Sequence, residues 1–200
     1  MESFDVKTLT VVAATGLEAR AVRRAIPSAR VVDGGVNLSR VDRSRLGDIV
    51  ISCGLAGALA SDLPTGTVVI PDHVLRPEGP LLECDDVLIA QLDAAARRLG
   101  HIPVRGALVT TRDLVTGSAR SAWAQRGYVA VDMETGFIKA KRVASIRVVL
   151  DTAEHELSDA WLRPWTIVVR PDAWGQVLWV AREAPRCAHL AAAVLAEALN

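Results

Sequence analysis

Short apolar runs rich in Val and Ile recur along the chain: Leu9–Ala14, Ala29–Val32, Asp48–Cys53, Thr67–Ile70, Val104–Thr110, Tyr128–Val131 and Ile146–Leu150. Within most of them apolarity is continuous rather than alternating, the pattern of strands covered on both faces. Helical periods lie between the runs. Leu17, Ala21 and Ala25 repeat every fourth residue, with Glu18, Arg20, Arg23 and Arg24 on the other faces. Leu88, Leu92, Ala95, Ala96 and Leu99 form a second stripe ended by Gly100, and Leu190, Ala191, Val194 and Leu195 a third. Strands alternating with helices predict an α/β domain with a largely parallel central sheet. Residues 161–182 read differently: Trp161, Trp165, Trp174 and Trp179 fall there, and the stretch predicts a hairpin or covering flap.

Composition narrows the classes. At 200 residues, half of them hydrophobic, the chain forms one domain over 1–200 with a core of good size, not a disordered one. Lys+Arg and Asp+Glu are equal at 23 each, which argues against a nucleic-acid binder or a membrane-surface binder. Cys53, Cys84 and Cys187 are odd in number and far apart, so neither a disulfide framework nor a zinc site is expected. The acidic start and the lack of about 18 consecutive uncharged apolar residues predict neither a secretory signal nor stable membrane insertion. A reducing cytoplasm is the expected compartment.

Ligands of such sheets bind at the C-terminal ends of strands. Four segments stand there. In Ala13–Glu18 a glycine permits a sharp turn into a helix, and Glu18 falls in its first turn, where an acid also complements the helix dipole. Ser52–Ala58 contains Leu55, Ala56 and Gly57, small enough for a ligand to approach the backbone, or for close packing on a neighbouring strand. Val131–Thr135 ends an apolar strand in Asp132, Met133 and Glu134. A carboxylate can accept from a vicinal diol and Met can lie against a sugar, or Asp132 is a helix N-cap with Glu134 in its first turn. Arg147–Ala153 delivers Asp151, an acid able to protonate a leaving group, or a helix cap or partner of Arg147.

Together these segments resemble the purine nucleoside phosphorylase and nucleosidase superfamily. The resemblance is to its 5′-methylthioadenosine/S-adenosylhomocysteine nucleosidase-like branch and, most closely, to the hopanoid-associated phosphorylases that act on adenosylhopane. AATGLEARAVRR, ISCGLAGALASDLPTGTVVIPDHV, VTTRDLV, VAVDMETG and IRVVLDTAEHEL carry it, in family order, over roughly three-quarters of the chain. The resemblance implies a three-layer phosphorylase/hydrolase-like fold with a mixed, largely parallel sheet flanked by helices, and a homodimer. It implies cleavage of a purine, chiefly adenine, nucleoside at its N-glycosidic bond, without metal or cofactor, with phosphate as the only co-substrate to consider. Residue by residue, Glu18 matches the acid that activates water, and Leu55, Ala56 and Gly57 match the lining of base and sugar. Leu114 and Val115 match the segment near the purine, Met133 and Glu134 the ribose-binding pair, Asp151 the acid that protonates N7, and Arg147 a basic residue near the catalytic acids.

Hydrolysis is favoured over phosphorolysis, because no arginine precedes the glycine segment and a carboxylate at Glu18 repels phosphate. Arg20, Arg43, Arg45 and Arg112 are the candidate phosphate ligands otherwise. Two departures from the family pattern stand out: the interval from Glu134 to Arg147 is short by about one to two helical turns, and Leu114 replaces an aromatic. The first favours a rival reading, a nucleoside-binding module that has lost the chemistry; the second bears on which base is bound and how tightly. The tryptophans of 161–182 pack a core or an interface, or wall an apolar, lipid-linked substituent of the nucleoside. Cys53 reads as a buried small hydrophobe rather than a nucleophile.

Overall fold

The computed structural model describes residues 9–42, 46–157 and 171–200, with side chains of the last segment from residue 176 onward. Among the described residues there are nine strands: β1 (Leu9–Ala13), β2 (Arg30–Asp33), β3 (Ile49–Ala58), β4 (Val68–Val69), β5 (His73–Leu75), β6 (Leu82–Glu83), β7 (Ala107–Thr110), β8 (Tyr128–Asp132) and β9 (Arg142–Asp151). Four α-helices accompany them among the described residues: α1 (Gly16–Ala25), α2 (Asp86–Arg98), α3 (Gly117–Gln125) and α4 (Pro171–Leu199). The strand order is β2-β1-β3-β8-β7-β5-β6, and β9 joins by pairing with β3 and β4. Five pairings are parallel, while β3–β8, β4–β9 and β5–β6 are antiparallel. The sheet is therefore mixed and flanked by helices, an α/β architecture.

The central pair is β3 with β9, ten residues each and parallel. Every residue of β9 after Arg142 is buried, which is why its sequence is apolar without alternation. The segment Gly54–Ala58, which lies beyond the apolar run Asp48–Cys53, is the second half of β3. Its backbone stays paired with β9 and then, at Gly57 and Ala58, turns to pair with β8. Pairing with β9 slips at this point, so that Gly57 stands opposite Asp151. Such an irregularity re-aims side chains locally.

Helix α1 starts with a capping box: the Thr15 side chain accepts from the Glu18 N–H, and the Glu18 carboxylate accepts from the Thr15 N–H. Helix α4 packs on α1, α2, β3 and β9. Its side of the core is built of Ala184, Cys187, Ala188, Ala191 and Leu195, mostly small residues that allow close approach. Residues 171–182 thus form the start of a long helix and not a hairpin or flap; Trp161 and Trp165 lie outside the described residues. The short Glu134–Arg147 interval holds only a 3-10 turn at Thr135–Phe137 before β9 begins. Its basic residues serve ion pairs on the outside, Lys141 with Asp48 at 2.8 Å and Arg142 with Asp85 at 2.6 Å.

Candidate active site

Strand ends and helix starts converge on a cavity of about 320 Å³. Glu18, Leu55, Ala56, Gly57, Leu114, Val115, Met133, Glu134 and Asp151 all line it. Arg147 does not: it lies 1% exposed behind that wall. Asp132 and Asp113 also line the cavity, Asp132 standing in the sequence as a cap candidate and Asp113 carrying no pattern of its own. Three predicted acids therefore meet there: Glu18 from the first turn of α1, Glu134 just after β8 and Asp151 from the end of β9.

Each acid is held by a different device. Glu18 is 3% exposed. One carboxylate oxygen accepts from the Thr15 N–H and hydroxyl, both at 2.8 Å, and the other from the Leu55 N–H at 2.8 Å. The acid that caps the helix is thus the same acid that faces the cavity, so the local and the functional readings of Glu18 describe one geometry. Room for it is made by Gly54: a Cβ there would sit 2.2 Å from Glu18 Oε1 and 3.0 Å from an Arg147 nitrogen. Gly57 does the same for Asp151, whose two carboxyl oxygens are each 3.0 Å from where a Cβ would be. The glycines of β3 admit protein carboxylates as well as exposing backbone to the cavity.

Arg147 joins a buried ionic group with Asp132 at 2.6 Å and Glu134 at 3.6 Å. It also donates to Thr135 Oγ1 at 2.8 Å, to the Leu55 carbonyl at 3.2 Å and to Ser52 Oγ. Asp132 accepts in turn from the Thr135 N–H at 3.1 Å, closing the 3-10 turn that follows β8. One guanidinium here faces several carboxyls, and burial without full compensation favours the neutral acid. Glu134 shows it: burial pushes its carboxyl up to about 8, with Arg147 opposing and Asp132 and Glu18 adding to the rise. Cys53 is wholly buried and its thiol is pushed up to about 12, first by burial and then by Glu18, so it is an inert core residue.

Asp151 pairs with Arg120 and not with Arg147. Arg120 Nη2 lies 2.6 Å from Asp151 Oδ2, and both side chains are nearly buried. Burial raises the Asp151 carboxyl above its usual range, while the Arg120 hydrogen bond pulls it back. Arg120 is absent from every sequence pattern above; it stands among small residues in a nine-residue helix and gives no signal of its own.

The remaining wall is apolar, with Leu17, Val36, Leu157, Val180 and Ala184 beside Leu114 and Val115. Among the described lining residues there is no Lys, Arg or His. Arg112 pairs with Glu78 at 2.5 Å and lies over the Phe137 ring; Arg20 is exposed; Arg43 and Arg45 lie outside the described residues. Among the described residues no group of His, Cys, Asp and Glu could hold a metal ion, and no helix is long and apolar enough to cross a membrane.

The family model of the phosphorylase superfamily matches residues 44–166. Solved structures share the fold at low identity. S-adenosylhomocysteine nucleosidase from Streptococcus pyogenes, in complex with 5-methylthiotubericidin, is 17% identical with a TM-score of 0.71; the match covers 96% of this chain and 95% of that one. The 5′-methylthioadenosine/S-adenosylhomocysteine nucleosidase from Neisseria meningitidis, in complex with methylthio-immucillin-A, is 19% identical with a TM-score of 0.73, covering 96% and 98%. The Helicobacter pylori enzyme of the same name is 12% identical with a TM-score of 0.71, covering 98% and 99%.

Proposed function

The chain belongs to the phosphorylase superfamily, and from that premise we propose that it hydrolyses the N-glycosidic bond of a purine nucleoside, with adenine as the leaving base. The neighbours named above are nucleosidases of 5′-methylthioadenosine and S-adenosylhomocysteine, which supports adenine as the base. In this reading Asp151 gives its proton to N7 as the C1′–N9 electron pair passes to the purine. Water attacks C1′ and loses a proton to Glu18. Glu134 accepts from the ribose hydroxyls, and Met133 lies against the sugar. Carboxylates on the sugar side stabilise the cationic character that C1′ develops. Arg147, behind the wall, positions Glu134 and Asp132.

One observation carries the choice of water over phosphate. Glu18, Asp113, Asp132, Glu134 and Asp151 line the cavity and no described lining residue is cationic. A phosphate dianion needs cationic or other strong N–H donors, and the wall offers carboxyls instead, which oppose an anion wherever they are ionised. The apolar wall of Leu17, Leu157, Val180 and Ala184 supports an uncharged, apolar 5′ substituent, an alkylthio or lipid-linked group rather than a phosphate.

The test is base release from 5′-methylthioadenosine, adenosine and adenosine 5′-monophosphate, with and without inorganic phosphate. Expected are adenine and free pentose, at a rate unchanged by phosphate, with the monophosphate the poorest substrate. Formation of a pentose 1-phosphate would overturn hydrolysis. Nucleoside binding by calorimetry without any base release would leave a binding module in place of an enzyme.

A further inference from the structure

Arg120 is 2% exposed, yet it is not part of the cavity wall. Its three nitrogens are all engaged: Nη2 with Asp151 Oδ2 at 2.6 Å, Nε with Glu156 Oε1 at 3.2 Å, and Nη1 with the Ala58 carbonyl. Those partners come from the end of β9, from the loop after it and from the end of β3. Glu156 also accepts from the Gly117 N–H at 2.7 Å, which ties the start of α3 to the same loop. A guanidinium is costly to bury, and holding three elements together could be done with less. What the position supplies besides is a fixed positive charge on one oxygen of an acid that lines the cavity.

We propose that Arg120 is a positioning residue for protonation of the leaving base: it holds Oδ2 of Asp151, leaves Oδ1 to the purine, and stabilises the negative charge that Asp151 gains when its proton passes to N7. The inference rests on the reaction proposed above. As the proton leaves Oδ1 for N7 and the C1′–N9 pair moves into the ring, the base departs neutral. Asp151 becomes a carboxylate already in a charge-assisted hydrogen bond. Glu156 shares the same guanidinium and opposes it, and both effects are felt at Asp151. The other charged groups in the cavity are Glu18, Asp113, Asp132 and Glu134; β3 offers only Ala56, Gly57 and Ala58 at this place, and α4 only Val180 and Ala184.

The signs are opposite for the two partners. Arg120→Met makes Asp151 a weaker acid, so its titration and the alkaline limb of the kcat profile move to higher pH. Glu156→Gln leaves Arg120 to Asp151 alone and moves both to lower pH. The experiment follows the Asp151 carboxyl by carbon-13 NMR in the full chain, beside kcat and KM for 5′-methylthioadenosine, in the wild type, R120M, R120K and E156Q. Expected for R120M is a fall of about 10- to 100-fold in kcat with KM changed far less, largely restored in R120K. Titration shifts that are absent, or of one sign in both variants, overturn the proposal. Should R120M fail to fold, the direction of the E156Q shift decides. NMR reads the titration without turnover: an inert wild type sinks the reaction proposed above, whereas the coupling of Arg120 to Asp151 stands or falls on the shifts.

Discussion

At Gly54 the hydrogen in place of a side chain is what allows Glu18 to reach the Leu55 N–H. Gly54→Ala puts a carbon 2.2 Å from the Glu18 carboxylate, and because Gly54 lies inside a paired strand the backbone cannot yield. Base release is expected to fall by at least about tenfold, since displacing a reacting group by an ångström costs on that order or more; steady-state kinetics on the purified variant checks it. Asp151→Asn keeps the shape and removes the proton, so turnover is expected to drop about 10²- to 10⁴-fold, with a lowered melting temperature because the buried Arg120 loses its charged partner. Glu134 adds a pH signature. Its carboxyl titrates at about 8 in the folded chain against 4.5 as the ordinary value. The native state then binds the extra proton between those values, so Glu134 makes stability fall as pH rises through that window. Melting curves from pH 5 to 8 are expected to show a shallower decline in Glu134→Gln than in the wild type. Glu134 and Asp151 were legible in the sequence because each follows the end of an apolar run, and Glu18 because it stands in the first turn of the helix after one. Arg120 was not, because a single arginine among Gly, Ala and Ser in a short helix belongs to no period and no motif, and its partners arrive from residues 58, 151 and 156.

Among the elements, long strands and amphipathic helices were plain from hydrophobic periodicity, and short ones were not. β5 and β6 have three and two residues, too few for any period, and exist because neighbouring strands complete them. Helix α3 lacks an apolar stripe, its one buried residue being the arginine. The extent of β3 was misread because glycine and alanine have low strand propensity; tertiary pairing with β9 overrides it. Helix α4 was read only in its second half, since Pro185 and the tryptophans before it look like breakers. Pro185 lies in the helix interior, where it removes a backbone hydrogen bond and its ring crowds the preceding turn. Pro185→Ala is expected to stabilise the chain by about 1–3 kcal/mol; chemical denaturation measures it.

For the whole molecule, a formal charge of zero conceals an uneven distribution. Apart from Arg120 and Arg147, which stand buried behind the cavity wall, arginines and lysines go to outer pairs such as Arg97–Asp93, Arg98–Glu197 and Lys141–Asp48, while the wall itself shows carboxyls. No count of charges along the chain reveals that division, because it is made by the fold. The connection between β8 and β9 shows a related limit. The interval was visibly short in the sequence, but only the structure shows that the turn Thr135–Phe137 suffices to bring Glu134 and Arg147 within 3.6 Å. Along β3, finally, Gly54 and Gly57 leave no room for a side chain beside Glu18 and Asp151, so this part of the hollow's surroundings has almost nothing to vary. Mutation can retune what enters only around the mouth, at Leu17, Leu114, Leu157 and Val180. A molecule arranged in this way can drift among substrates that share a base and a sugar while the chemistry beneath them stays fixed.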